Sequence, residues 1–176
     1  MHRLLFLVLA TSVGAADDYT ITVNSVGIGN QWRAGDITPI NVTVSSNASV
    51  ATSAWIQWEV PDADGDIVLW GRAITLSPMS DTSTWLYAPT RAWDNGNTVW
   101  TIRLRELEDN EPRGELELLQ FSPYSVSAIY VPVRSALTVI FGTRRLGLPG
   151  YLPASPETKQ ETSFLVSGLK SKDLPD

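Results

Sequence analysis

Tyr19, Ile21 and Val23 alternate with Thr20, Thr22 and Asn24. This is the period of two that a half-buried strand requires, because successive side chains leave opposite faces of the pleat. The alternation returns where Ile40, Val42 and Val44 interleave with Asn41, Thr43 and Ser45. Further strands are predicted over Ala54 to Val60 (with Trp55, Ile56 and Trp58), Ile67 to Leu76 (with Trp70) and Ser83 to Ala88 (with Trp85 and Tyr87). In Val99 to Leu104, Trp100, Ile102 and Leu104 take one face, while Thr101, Arg103 and then Arg105 take the other. Glu115 to Phe121 and Ser125 to Val133 complete the series. Turn chemistry separates these runs, in Gly27-Ile28-Gly29-Asn30, Arg33-Ala34-Gly35-Asp36, Pro61-Asp62-Ala63-Asp64-Gly65-Asp66, Asp94-Asn95-Gly96-Asn97 and Glu108 to Gly114.

No stretch of this region carries a helical period. Seven or eight short, evenly spaced alternating strands predict an all-β fold, an immunoglobulin-like antiparallel β-sandwich over residues 17–134. No internal repeat is visible, which argues against a propeller or solenoid. The pattern changes at Ser135. Leu137 to Phe141 is a continuous apolar run ending at Gly142, as expected of a strand covered on both faces in a parallel sheet. Loop residues, a polar stretch from Ser155 to Thr162 and a short apolar run at Phe164-Leu165-Val166 follow. Residues 135–176 therefore read as an incomplete α/β segment or a tail, because each βαβ unit alone takes about 30 residues.

Composition adds location. Met1-His2-Arg3 is a basic start, Leu4 to Ala10 an apolar core and Val13-Gly14-Ala15-Ala16 a small-residue cleavage region. Residues 1–16 read as a secretory signal peptide, and an extracytoplasmic site is expected: periplasm, cell envelope or medium. The chain has no cysteine and its one histidine, His2, lies in that leader. The exported part thus lacks the side chains most used for nucleophilic, acid–base and transition-metal chemistry near neutral pH. No enzyme activity, metal or cofactor is expected of it. Thirteen basic and nineteen acidic residues give a net charge of −6. That balance argues against nucleic acid and against docking on anionic lipid. Outside the leader no apolar run reaches the roughly 18 residues that span a bilayer, so a membrane link is expected only through an uncleaved leader or a downstream anchor.

Two groups of residues carry a resemblance. The first is Val26-Gly27-Ile28-Gly29 with Trp32-Arg33-Ala34-Gly35-Asp36-Ile37-Thr38-Pro39-Ile40-Asn41-Val42. The second is Leu165-Val166-Ser167-Gly168-Leu169 with Asp173-Leu174-Pro175. The layout resembles the N-terminal region of planctomycete-type bacterial envelope proteins. In these a signal peptide and a β-sandwich precede a glutamine-amidotransferase-like α/β domain, often with a membrane anchor after it. The resemblance implies a fragment of a larger protein whose sandwich contacts a protein partner or its own downstream domain. It transfers no functional residue.

Asp62 to Asp66 offers oxygens for calcium, but its Gly is fourth where an EF-hand needs it sixth, and Ala73 stands where that loop needs Glu; a tight acidic turn with Gly65 at positive φ fits better. The Gly27–Asn30 loop lacks the Lys and helix of a phosphate loop. Glu115 and Glu117, two apart on one strand face, pair on a wet surface with Arg103 and Arg105 rather than hydrolyse glycosides. Gly142 to Arg145 follows an apolar strand, where α/β folds place ligands. The Asn41 and Asn47 sequons are coincidental in a bacterium. Seven tryptophans are many for 176 residues. Trp58, Trp70 and Trp100 are expected in the core, whereas Trp55, of opposite parity to Trp58, and Trp93 in a loop are the exposed candidates for stacking on a polysaccharide. The leading expectation is a non-catalytic interaction or scaffold domain, and a carbohydrate-binding module using Trp55 and Trp93 is the alternative.

Overall fold

The computed structural model describes residues 18–61, 64–90 and 99–132, together with the backbone of two later strands at 136–141 and 163–169. The first part is a β-sandwich. Its smaller sheet holds β1 (Tyr19–Val26), β3 (Ile37–Ser46) and β6 (Ser80–Pro89) in the order β1-β3-β6. Its larger sheet holds β4 (Thr52–Pro61), β5 (Ile67–Leu76), β7 (Trp100–Glu108) and β8 (Glu111–Phe121) in the order β5-β4-β7-β8. Every pairing within these two sheets is antiparallel. The chain passes from the small sheet to the large one after β3, returns for β6 and crosses again to β7. That is the immunoglobulin-like arrangement the alternation predicts.

The core lies between the sheets and follows parity. Ile21 and Val23 of β1, Ile40, Val42 and Val44 of β3, and Leu86 and Ala88 of β6 meet Ala54, Ile56 and Trp58 of β4 and Ile102 and Leu104 of β7. At one end the core is aromatic. The Trp58 and Trp100 rings are 4.7 Å apart between centroids, Trp32 meets Trp100 at 5.2 Å and Tyr130 at 5.1 Å, and Phe121 stands edge-on to Trp100 at 5.8 Å. Such contacts add to area burial. Trp32 arrives on a short strand, β2 (Gln31–Arg33), which pairs in parallel with β9 (Ile129–Val131) and sets Trp32 opposite Tyr130. The predicted last strand of the sandwich, Ser125 to Val133, is instead a 3-10 turn over Pro123–Val126 followed by β9. Pro123 opens that turn, supplying a fixed φ and no backbone donor for a ladder.

The strand expected over Leu137 to Phe141 is present as backbone, and a second strand follows it. β10 (Ala136–Phe141) and β11 (Ser163–Leu169) pair in parallel, Leu137 with Phe164 and Val139 with Val166. Parallel partners require a crossover between them. Among the described residues there is no α-helix.

Candidate functional site

The outward face of the large sheet gathers the polar residues. The β4–β7 register sets Trp55 opposite Arg105, Gln57 opposite Arg103 and Glu59 opposite Thr101. Arg103 lies at the centre. Its Nε donates to Glu59 Oε1 at 2.7 Å, its Nη2 to Glu59 Oε2 at 3.4 Å, and its Nη1 to Glu115. Gln57, only 3% exposed although it points away from the core, donates from Nε2 to the same Glu59 oxygen at 3.2 Å. The Arg103 hydrogen bond pulls the Glu59 carboxyl below the usual carboxylate range; burial opposes this, and the bond from Gln57 adds to it. Glu59 in turn raises the Arg103 guanidinium. The result is a fixed anion and a fixed cation rather than a proton donor poised near neutrality. Gln57, Glu59, Leu69, Arg103, Arg105 and Glu115 line an open groove of about 340 Å³.

The expected pairing of Arg103 and Arg105 with Glu115 and Glu117 is corrected in part. Arg103 does bind Glu115, but Arg105 donates to the Arg113 carbonyl at 3.2 Å. Glu115 and Glu117 do not share a face. The register shifts between them, so that Glu115 stands opposite the outward Arg105 and Glu117 opposite the inward Leu104. An extra residue in one strand of a pair reverses the parity beyond it. Glu117 accepts instead from the Leu118 amide at 2.9 Å.

Trp55 is half-buried on this outward face. A Cβ placed on Gly71, the residue opposite Gln57 on β5, would come 2.7 Å from Trp55 Nε1 and 2.6 Å from the Ile56 carbonyl oxygen. The indole thus leans across the neighbouring strand into space that only glycine leaves open. Trp93 lies outside the described residues, so the pair of aromatics expected to hold a polysaccharide is placed at one position only. Gly142 to Arg145 and the leader also lie outside them.

The edge strand β5 is where parity misled. Trp70 is directly opposite Trp58, yet Trp58 is fully buried and Trp70 is 40% exposed. Its neighbours Ile67, Val68 and Leu69 are 57%, 37% and 54% exposed. The expectation that Trp70 fills the core is overturned because four strands face three. The large sheet is wider by one inter-strand spacing of about 4.8 Å, and β5 overhangs. Beneath the overhang, Trp70, Gly71 and Arg72 of β5 and Trp85, Leu86 and Tyr87 of β6 line a cleft of about 320 Å³. One signal in the sequence marks this strand as an edge: Gly71-Arg72 interrupts the apolar run where a central strand would continue it.

Of the acidic turn, Asp62 and Ala63 lie outside the described residues. Gly65 adopts φ +93° in the acidic turn, and Asp64 and Asp66 are exposed. Among the described residues no three His, Cys, Asp or Glu side chains come together as a metal site. The Gly27–Asn30 loop closes on itself through bonds between Ile28 and Gln31. The Asn41 amide is engaged, its Oδ1 accepting from Asn24 Nδ2 at 2.7 Å.

No protein-family model and no curated protein sequence matches the chain. Among solved structures, the CARDB domain of a Pyrococcus furiosus protein in complex with di-metal ions is 11% identical, with a TM-score of 0.36 over 70% of this chain and 100% of that one. A Bacteroides uniformis β-glucuronidase is 13% identical with a TM-score of 0.41, covering 61% of this chain and 13% of that chain. A Pseudomonas fluorescens alkylpurine DNA glycosylase is 12% identical with a TM-score of 0.35, covering 60% and 30%. The chain therefore spans less than a third of either enzyme. At these scores the likeness bears on neither activity nor ligand, and the fold rests on the strands themselves.

Proposed function

We propose that this chain is a non-catalytic extracytoplasmic interaction module, in which the β5 edge is the protein-contacting strand. The observation that carries the reading is the run Ile67-Val68-Leu69-Trp70, four consecutive large apolar residues all at least 37% exposed on a ten-residue edge strand. An unpaired edge presents backbone donors and acceptors ready for another strand, and soluble proteins usually blunt it with charge, proline or a bulge. Here the register between β4 and β5 is continuous, and the exposed run carries no charge. The leader supports an extracytoplasmic site, and the resemblance supports a bacterial envelope. The fixed ion pair of Glu59 and Arg103 supports a role without catalysis.

The test is hydrogen exchange with a short alternating Thr–Val peptide. Protection of β5 amides, lost in Leu69→Lys, is the expected result. No protection of β5 would overturn it.

One observation favours a second reading, polysaccharide binding. Trp55 shares a face with Gln57, Glu59, Arg103 and Arg105, so a stacking ring adjoins hydrogen-bonding groups. A tryptophan fluorescence change with a soluble glucan, lost in Trp55→Ala, would establish it. An unchanged spectrum would remove it.

A further inference from the structure

The β5 edge is charge-complementary to itself, and we infer that the strand it receives is β5 of a second copy. The inference rests on the reading of β5 as the contact strand and names its occupant. Two identical strands pair antiparallel about a two-fold axis only if one residue stands opposite its own copy. With Leu69 on the axis, Val68 of each copy faces Trp70 of the other, a β-branched residue against an aromatic. Ile67 faces Gly71, over which the Trp55 indole lies, so an apolar side chain meets glycine and an aromatic ring. At both ends Asp66 faces Arg72, so the two-fold produces two opposite-charge pairs from one sequence. Ile67, Leu69 and Gly71 lie on the outward face, while Val68, Trp70 and Arg72 lie on the overhanging inner side.

Neighbouring registers lose this match. Centring on Val68 sets Asp66 against Trp70, and centring on Trp70 sets Val68 against Arg72. Only the Leu69 register sets apolar residues against apolar residues or glycine and charge against charge through the whole segment from Asp66 to Arg72. Leu69, Asp66 and Arg72 are all exposed, so each can be replaced without opening the core. Dimerisation joins the two large sheets into one continuous sheet and removes an edge from each copy.

Sedimentation equilibrium of the whole chain tests the occupant and the register together. The molar mass is expected to double as concentration rises. Leu69→Lys, which opposes two ammonium groups on the axis, is expected to leave a monomer. Asp66→Arg and Arg72→Asp are each expected to weaken association about tenfold, because like charges then face each other. Mixed in equal amounts, these two variants restore a heterodimer. The first carries a cation at both positions and the second an anion at both, so each facing pair is again of opposite charge. A chain that stays monomeric overturns the second copy as occupant, and β5 protection by the alternating peptide then shows that the contact-strand reading survives it. Association that ignores the charge reversals, or a mixture that fails to associate, overturns the register.

Discussion

Trp58 and Trp70 stand side by side on β4 and β5, opposite each other in one register and on the same side of one sheet. One is fully buried and packed against Trp100, and the other is 40% exposed above a cleft. Residue type and strand parity are the same for both. What differs is their place in the sheet: β4 is flanked by β5 and β7, while β5 is at the edge of a four-stranded sheet that faces a three-stranded one. In a sandwich with unequal sheets, whether an inward residue is core is decided by strand order as well as by periodicity. Exposed apolar surface collects where the wider sheet overhangs.

Truncation breaks the comparison most sharply. Trp58→Ala is expected to cost about 3–5 kcal/mol, enough to threaten folding, because it removes a fully buried ring packed against Trp100. Trp70→Ala is expected to cost about 1 kcal/mol or less, since much of that ring is already in water. Urea unfolding of both variants checks this. Equal losses would mean that Trp70 is part of the core after all.

How far the sequence announces these differences follows from what each pattern encodes. Alternation in Tyr19 to Val23, Ile40 to Val44 and Trp100 to Leu104 reports a local property, the two faces of a strand, and the strands and their inward residues were legible from it. Strand order is not local. Trp70 has the parity of a core residue, and nothing inside Ile67 to Leu76 states how many strands the opposing sheet contains. The bulge between Glu115 and Glu117 was hidden for a related reason, because its two-against-one pairing is set by β7. The polar face was half legible. The shared parity of Trp55, Gln57 and Glu59 is in the sequence, but the Arg103 that fixes Glu59 lies 44 positions away.

Gly71 sharpens the comparison, because a side chain added there would meet β4 directly. Gly71→Ala drives a methyl against the Ile56 carbonyl oxygen, 2.6 Å from the new Cβ, and against the Trp55 indole. Overpacking of this kind costs about 1–3 kcal/mol, between the two tryptophan truncations. Trp55 emission should shift as its ring is displaced, while the β1–β3 ladder keeps its hydrogen-exchange protection. Loss of protection throughout would show that β5 is not separable from the core.

The smallest effect belongs to the outward face of β4. Glu59 is held below the usual carboxylate range chiefly by its hydrogen bond from Arg103. A carboxyl whose pKa is depressed on folding adds stability that is complete above its unfolded value and is lost as pH falls through the folded value. The native chain should therefore lose stability on going from neutral pH to below the ordinary carboxylate range by more than Glu59→Gln does. Water reaches both side chains of the pair, so screening limits the difference to about 1 kcal/mol or less. Chemical denaturation at neutral and acid pH measures it, with the comparison taken as the difference between variant and native chain so that other carboxylates cancel. Parallel loss in both would show that the Glu59–Arg103 bond is too open to solvent to stabilise the fold. The rigidity of this face would then rest on the ladders of β4 with β5 and β7, in contrast to β5, which among the described residues is paired on one side.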